Sequence, residues 1–469
     1  MGKNNYKKLF NNSLIFAIGD IGSKGITLLL VPLYTFYLTQ SEYGSIDIIQ
    51  VTINLLIPIL SLSIFEAVLR YVMDNEDISA VFTNGFIITL ISSILAALIS
   101  VIIYFITSNE LIFYVSLIIV FQLFQSLCAQ FIRGIGKVKV FAINGILIAF
   151  TIAFMNVVFI AWFKLGIKGY LLATIIGLLV SFIYINVSTN LVKYVKFSTI
   201  NSSMSKTMLK YSVPLMPNSI MWWIINASSR YFILIFSGTF YNGLFAVAAK
   251  IPSILSIFNS IFFKAWQLSA IEEYKSNNKS VFFSKIFNFY QQFLFIVIAF
   301  ILLALKKVLE FAISSDFYAA WKYIPLLLVA VLFSSFSSFL GTNYIASKET
   351  KGVFKSSVLG GITNITLNLI TIPLFGVIGA SISSMLSFFV MTIMRWQDTK
   401  KYIDIEYNYK NILLNFILLI INITIMYLNL TSLFEYTLQI IIISLVLLNN
   451  RTLLKSAIRL AKYKLRRKY

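Results

Sequence analysis

The sequence predicts an all-α polytopic membrane protein. It is expected to hold about fourteen transmembrane helices, as two parallel-related six-helix lobes around a central cavity plus a C-terminal helix pair. Three observations predict this. Hydrophobic residues make up 59% of the 469-residue chain and charged residues only 12%, against ~25% charged in a soluble domain. The apolar residues come in runs of about 20 or more, long enough to cross a bilayer as helix and without the in/out alternation of barrel strands. The chain also repeats part of itself between its two halves.

The spans fall at approximately 12–38, 44–72, 81–106, 111–132, 138–163, 167–190, 211–236, 240–267, 284–305, 318–345, 353–374, 376–398, 410–430 and 434–454. Helix is the reading for each, because a lone strand cannot satisfy its backbone groups in lipid. The first span follows Lys3, Lys7 and Lys8, as the apolar core of a signal peptide would. It is too long for one, carries Asp20 and Lys24, and lacks a small-x-small cleavage site, so it is read as a retained helix.

Charge sets the orientation. The net charge of +21 resembles a nucleic-acid signal, yet most cations sit in short loops between apolar spans. With the N-terminus inside, the outer side holds only Lys164, Lys168, Lys306, Lys307 and Lys322, and Lys24, Arg230, Lys250 and Lys264 lie within spans. The other 29 of the 38 Lys and Arg fall on the inner side, which puts both termini in the cytoplasm and an even number of spans between them. Twelve spans would satisfy the same count. The basic run Lys462–Lys468 reads as an orientation signal, with contact to anionic headgroups as the second reading.

Composition excludes several chemistries. A single cysteine, Cys128, rules out a disulfide framework and a cysteine metal cluster. The absence of histidine removes histidine acid–base catalysis, haem ligation and typical zinc sites. No nucleophile–base set or phosphate-binding loop is present, so an enzyme is not expected.

The repeat has an offset of about 210 residues. Phe163-Lys-Leu-Gly-Ile-Lys-Gly169 corresponds to Pro373-Leu-Phe-Gly-Val-Ile-Gly379, each joining two helices at the outer side. Gly136-Lys-Val-Lys-Val-Phe141 resembles Thr350-Lys-Gly-Val-Phe354 at inner loops, and Tyr43-Gly44 resembles Asn242-Gly243. Six spans separate matched pairs, so the copies face the same way. The expected division is an N-terminal lobe at 12–195, a Lys- and Ser-rich cytoplasmic linker at 196–210, a second lobe at 211–398, and an extra helix pair with a basic tail at 399–469. Two such lobes suit alternating access better than a fixed channel.

Helix breakers and buried charges select the same four spans. All seven prolines lie within spans, and five of them (Pro32, Pro58, Pro214, Pro217 and Pro252) fall in spans 1, 2, 7 and 8. Those spans are equivalent under the repeat, and they hold Asp20, Lys24, Asp47, Glu66, Arg70, Arg230, Lys250 and Lys264. A cation inside a bilayer costs at least ~2.5–3.5 kcal/mol, so each needs a partner or a task. Asp20–Lys24 and Glu66–Arg70 have the i,i+4 spacing of self-neutralising pairs. Arg70 and Lys264 can snorkel to headgroups, and Asp47 lies near enough to the outer end to be solvated. Lys250 sits mid-span with no carboxylate within four residues, and Arg230 is similar. Trp222, Trp223 and Trp266 suit sugar stacking or an interfacial belt. Excess cation in a cleft selects an anion such as phosphate or pyrophosphate.

Phe16-Ala-Ile-Gly-Asp-Ile-Gly-Ser-Lys24, Val31-Pro-Leu-Tyr-Thr35, Glu42-Tyr-Gly44 and Glu66-Ala-Val-Leu-Arg-Tyr71 together resemble the start of polysaccharide flippases of the Wzx type. These belong to the MOP superfamily, with multidrug (MATE) antiporters and lipid II flippases. The resemblance covers the whole chain in length, span count and repeat, with its specific motifs at 16–71. It implies movement of undecaprenyl-diphosphate-linked oligosaccharide units from the inner to the outer leaflet of a bacterial cytoplasmic membrane, for surface polysaccharide assembly. It implies a cationic cavity, and assigns Lys24, Arg230 and Lys250 to the diphosphate, with Arg70 and Lys264 as further substrate-binding candidates. It implies no cofactor. Coupling to H+ or Na+ would need a carboxylate, for which Asp20, Asp47 and Glu66 are the candidates. The expected partners are the lipid-linked oligosaccharide diphosphate, membrane lipids and, as a candidate, the polysaccharide polymerase machinery, with no nucleic acid and no metal. Three alternatives remain: a lipid II flippase, a MATE-type drug or cation antiporter, whose cavity should be acidic or aromatic, and a non-transporting scaffold.

Overall fold

The computed structural model describes residues 3–74, 77–274, 276–347, 351–428, 430–453 and 455, without the side chains of 3–18, 20, 218, 264, 265 and 268. All regular structure among the described residues is helical. The helices group into two compact units, Met1–Ala246 and Val247–Tyr469.

The first unit holds α1 (Lys3–Tyr37), α2 (Gln40–Leu60), α3 (Ile64–Met73), α4 (Ile78–Thr107), α5 (Leu111–Gly134), α6 (Val138–Asn156), α7 (Gly166–Thr189), α8 (Ser202–Ser212), α9 (Met216–Ser237) and most of α10 (Thr239–Ala248). α6 runs on as a π-helical turn, Val157–Trp162. The second unit holds α11 (Lys250–Glu273), α12 (Lys279–Ala312), a 3-10 segment (Ser315–Lys322), α13 (Ile324–Ala346), α14 (Lys351–Phe375), α15 (Val377–Thr399), α16 (Tyr409–Tyr427) and α17 (Ser432–Asn449).

Twelve helices are long and apolar enough to cross a membrane, and the broken pair Thr239–Ala248 with Lys250–Phe263 makes a thirteenth. The remaining expected span, 12–38, coincides with α1. α4 shows how lipid and protein divide a helix. Ile94, Leu95, Leu98, Ile102 and Phe105 are exposed, while Phe82, Thr89, Ser92 and Ala96 are buried. Small and polar residues face helix neighbours because lipid offers them no hydrogen bonds. Ser181 Oγ thus donates to Asn144 Oδ1 at 2.8 Å, and Asn156 Nδ2 to the Tyr34 hydroxyl at 3.0 Å.

Local chemistry explains the boundaries. α2 starts in a reciprocal capping box, the Thr39 hydroxyl accepting from Glu42 N while Glu42 accepts from Thr39 N. The predicted span 44–72 is not continuous. It breaks after Leu60, where Leu62 and Ser63 both take positive φ, 49° and 52°. The repeat-equivalent span is broken at Ala249, between α10 and α11. At the matched turns of the repeat, Gly166 (φ 53°) and Gly376 (φ 62°) hold positive φ, which glycine adopts freely and which explains why the repeated motif keeps them.

The linker expected at 196–210 is an ordered element. α8 packs on α3 and α4 with Met208 buried in an apolar cluster around Val68, Phe82, Leu127 and Phe131. α9, expected to open the second lobe, groups with the first unit and packs on α2. In the second unit, α14 and α13 pack on α15, and the C-terminal pair α16–α17 packs on α12. The tail Lys462–Lys468 lies outside the described residues.

Candidate functional site

The site builds from α2, α9 and α10. Asp47, two turns into α2, faces Arg230 of α9, and Arg230 Nε donates to Asp47 Oδ2 at 2.6 Å. The two side chains are only 12% and 15% exposed. Arg230 Nη1 also donates to Asn226 O at 3.0 Å, and the Phe245 ring lies 5.8 Å from the guanidinium. A charge-assisted bond at this length, shielded from water, is among the stronger polar contacts available to a membrane helix pair.

The same helices are tied at further points. Trp223 Nε1 donates to Val51 O at 2.7 Å, and the Tyr231 hydroxyl bonds to Thr52 Oγ1. Asn242 Nδ2 donates to Gly44 O at 2.9 Å. Gly44 itself has no room for a side chain, since a Cβ there would lie 2.0 Å from Thr239 O. Behind α2, Tyr34 stacks on Tyr43 and meets Tyr170 edge-on, both at 5.7 Å between ring centres. The Tyr170 hydroxyl donates to Gln50 Oε1 at 3.1 Å.

Of the sequence-predicted residues, the structure brings Asp47 and Arg230 together. Asp47 is not a solvated end-of-span carboxylate, because α9 covers it. The i,i+4 pair Glu66–Arg70 does not form. Arg70 Nε reaches Asp74 Oδ2 at 3.0 Å, and Glu66 Oε1 accepts from Gln130 Nε2 at 3.3 Å. The exposed Asp74 at the end of α3 offers Arg70 a solvated partner, while Glu66 points to α5. Lys24 is exposed on α1. Lys250 opens α11 in the second unit, with the Ser253 hydroxyl donating to its carbonyl at 2.6 Å. The side chains of Asp20 and Lys264 lie outside the described residues. Trp266 is buried in an aromatic stack with Phe339 at 4.6 Å, so its ring is not open to a sugar. Trp222 is 37% exposed.

The sequence reading passed over one buried cation. Arg395 on α15 is 2% exposed and donates to Ser356 Oγ (2.8 Å), Ser337 O (2.9 Å) and Ser357 Oγ (3.1 Å). Its partners come from α13 and α14, so no spacing along α15 reveals it. The adjacent serines Ser356-Ser357, on the face of α14 that meets α15, are the signal that was there to read. Outside the charged groups, an apolar cavity of about 380 Å³ lies between α13, α15 and α16, lined by Phe333, Phe389, Phe416 and Ile423. Its lining holds no charged side chain and does not suit a diphosphate. The described residues hold no group of three or more His, Cys, Asp or Glu side chains placed to bind a metal.

Broken helices and buried ionic contacts among apolar helices belong to an all-helical polytopic membrane fold. Comparison with solved structures bears this out for the fold. The chain is similar to the lipid II flippase MurJ in an inward closed conformation, with a TM-score of 0.69, 15% identity, and coverage of 96% of this chain and 99% of that one. It is also similar to an inward-facing multidrug resistance MATE transporter of the MOP superfamily, with a TM-score of 0.59, 15% identity, and coverage of 84% and 94%. The chain belongs to the polysaccharide biosynthesis protein family, whose model matches residues 9–267. A relative, "Lsg locus putative protein 1" of Haemophilus influenzae, is 24% identical over 258 residues, 53% of this chain and 63% of the relative. The match thus spans less than two thirds of that relative's length.

Proposed function

We propose that the protein is a flippase that carries undecaprenyl-diphosphate-linked oligosaccharide units from the inner to the outer leaflet of the bacterial cytoplasmic membrane by alternating access. The observation that carries this reading is the family match, whose range of 9–267 includes Lys24, Asp47, Arg230 and Lys250. The transporter fold and the scarcity of acidic side chains support it.

In this reading Lys24, Arg230 and Lys250 hold the diphosphate, and Arg70 and Lys264 extend the cationic path. In this reading phosphate oxygens compete with Asp47 for the Arg230 Nε donor and displace it. The exchange conserves the guanidinium's charge-assisted bonds and frees the Asp47 carboxylate to take up H+ or Na+. Anion binding and cation uptake would then be coupled at one place. Glu66, held by the neutral Gln130, is the second coupling candidate, and Asp20 the third. An inside-negative potential favours outward movement of the anion by ~2.3 kcal/mol per charge per 100 mV.

A lipid II flippase is the second reading, favoured by the near-complete coverage of the MurJ chain. Genetic complementation separates the two. Rescue of a strain lacking its repeat-unit flippase, without rescue of one depleted of lipid II flippase, is the expected result. The reverse pattern would replace the first reading with the second. Rescue of neither, with drug efflux gained, would favour the antiporter.

A further inference from the structure

The segment between α7 and α9 is fastened to α4 by a row of hydrogen bonds. Thr83 Oγ1 donates to Tyr194 O (3.1 Å) and accepts from Lys196 N (3.0 Å). Asn84 Nδ2 donates to Thr199 O (3.1 Å), and its Oδ1 accepts from Asn201 N (3.0 Å) and Ser205 Oγ (2.9 Å). Thr83 and Asn84 are almost completely buried, as is Met208 of α8. Two adjacent polar side chains of α4 therefore hold the backbone of 194–201 and the Ser205 hydroxyl in place.

Its exposed residues are of two kinds that rarely share a water-facing loop. Lys193, Lys196, Lys206 and Lys210 are exposed. Beside them Val192 is 73%, Phe197 67% and Ile200 50% exposed. The sequence holds no Asp or Glu between Glu110 and Glu272, so no carboxylate within the segment itself accompanies the lysines. The segment leaves one membrane span at Thr189 and enters another at Met216, so it stays close to the bilayer surface.

We propose that residues 190–213 form a docking surface for the anionic phospholipid headgroups of the adjoining leaflet. The lysines meet lipid phosphates, and Val192, Phe197 and Ile200 enter the boundary between headgroups and acyl chains. Apolar side chains and ammonium groups on one surface suit such an interface, where each kind meets its own partner. The Lys and Arg count assigns this side to the cytoplasm, whose leaflet is rich in anionic lipid. The grip of Thr83 and Asn84 makes the contact rigid, so the leaflet positions the inner end of the first unit as well as the linker.

The test uses the full-length chain in lipid nanodiscs, with Cys128→Ala as background and a bimane fluorophore on Ser198→Cys, an exposed position. Quenching by nitroxide-labelled lipid and by aqueous iodide is compared in phosphatidylcholine and in phosphatidylcholine with phosphatidylglycerol. The expected result is stronger lipid quenching and weaker iodide quenching in the anionic membrane. Replacing the four lysines by glutamine should abolish that lipid dependence, and Phe197→Ser should reduce lipid quenching in both membranes. Equal quenching in both membranes for the unaltered chain would overturn the proposal. So would full retention of the anionic-lipid effect in the four-glutamine variant. Unchanged thermal unfolding in phosphatidylcholine shows that the variants remain folded.

Discussion

Gly44 and Gly243, matched positions of the internal repeat, each press against the backbone of the other's helix. A Cβ on Gly44 would lie 2.0 Å from Thr239 O, and one on Gly243 would lie 2.0 Å from Gln40 O. Each carbonyl stands four residues before the other glycine, so the crossing of α2 and α10 is reciprocal. Small residues permit this approach, and in lipid close packing supplies much of the attraction between helices.

Gly44→Ala and Gly243→Ala should each drive the two helices apart, since the obstruction is backbone and cannot rotate away. Overpacking costs ~1–3 kcal/mol, and a backbone clash belongs at the upper end. Thermal unfolding in a fixed detergent measures it. A wild-type melting temperature for both variants would refute the crossing.

Asp47 and Arg230 should behave as a coupled pair. Breaking a buried pair by removing one partner costs about 3–5 kcal/mol, and exposures of 12% and 15% put this pair toward the lower end. Asp47→Asn and Arg230→Gln should each destabilise, and the double variant should lose less than their sum. A strictly additive double-mutant cycle would mean that the two side chains do not interact.

The helical spans were legible because lipid demands long apolar runs, and all fourteen expected spans have a helical counterpart. The matched Gly166 and Gly376 turns were legible as a motif, and their positive φ supplies the reason. The Asp47–Arg230 contact was not legible, because 183 residues separate partners that only tertiary packing brings together. Pro58 hinted at irregularity in span 2, but the break falls three residues later, at Ser61–Ser63, where no glycine marks it. Spacing suggested Glu66–Arg70, yet i,i+4 also fits Arg70–Asp74, and solvent at the helix end favours the latter. Residues 196–210 read as a linker because lysines and serines dominate their composition. Their fixing residues, Thr83 and Asn84, lie on another helix.

Arg395 gives a prediction of opposite sign to intuition. Arg395→Lys keeps a buried charge but loses the planar fork that meets three neutral oxygens, and an uncompensated buried charge costs about 3–5 kcal/mol. Arg395→Met removes the charge, and Ser356 retains its bond to Val353 O. The lysine variant should therefore unfold at the lower temperature. A lysine variant as stable as wild type would show that the three bonds contribute little.

The most direct test of the flippase account is outward movement of a diphosphate-linked glycolipid in proteoliposomes, comparing the unaltered chain with Lys250→Gln and Arg230→Gln. The account predicts flipping by the unaltered chain and its collapse in both variants while folding is retained. Equal rates in all three would contradict the assignment of these cations to the diphosphate.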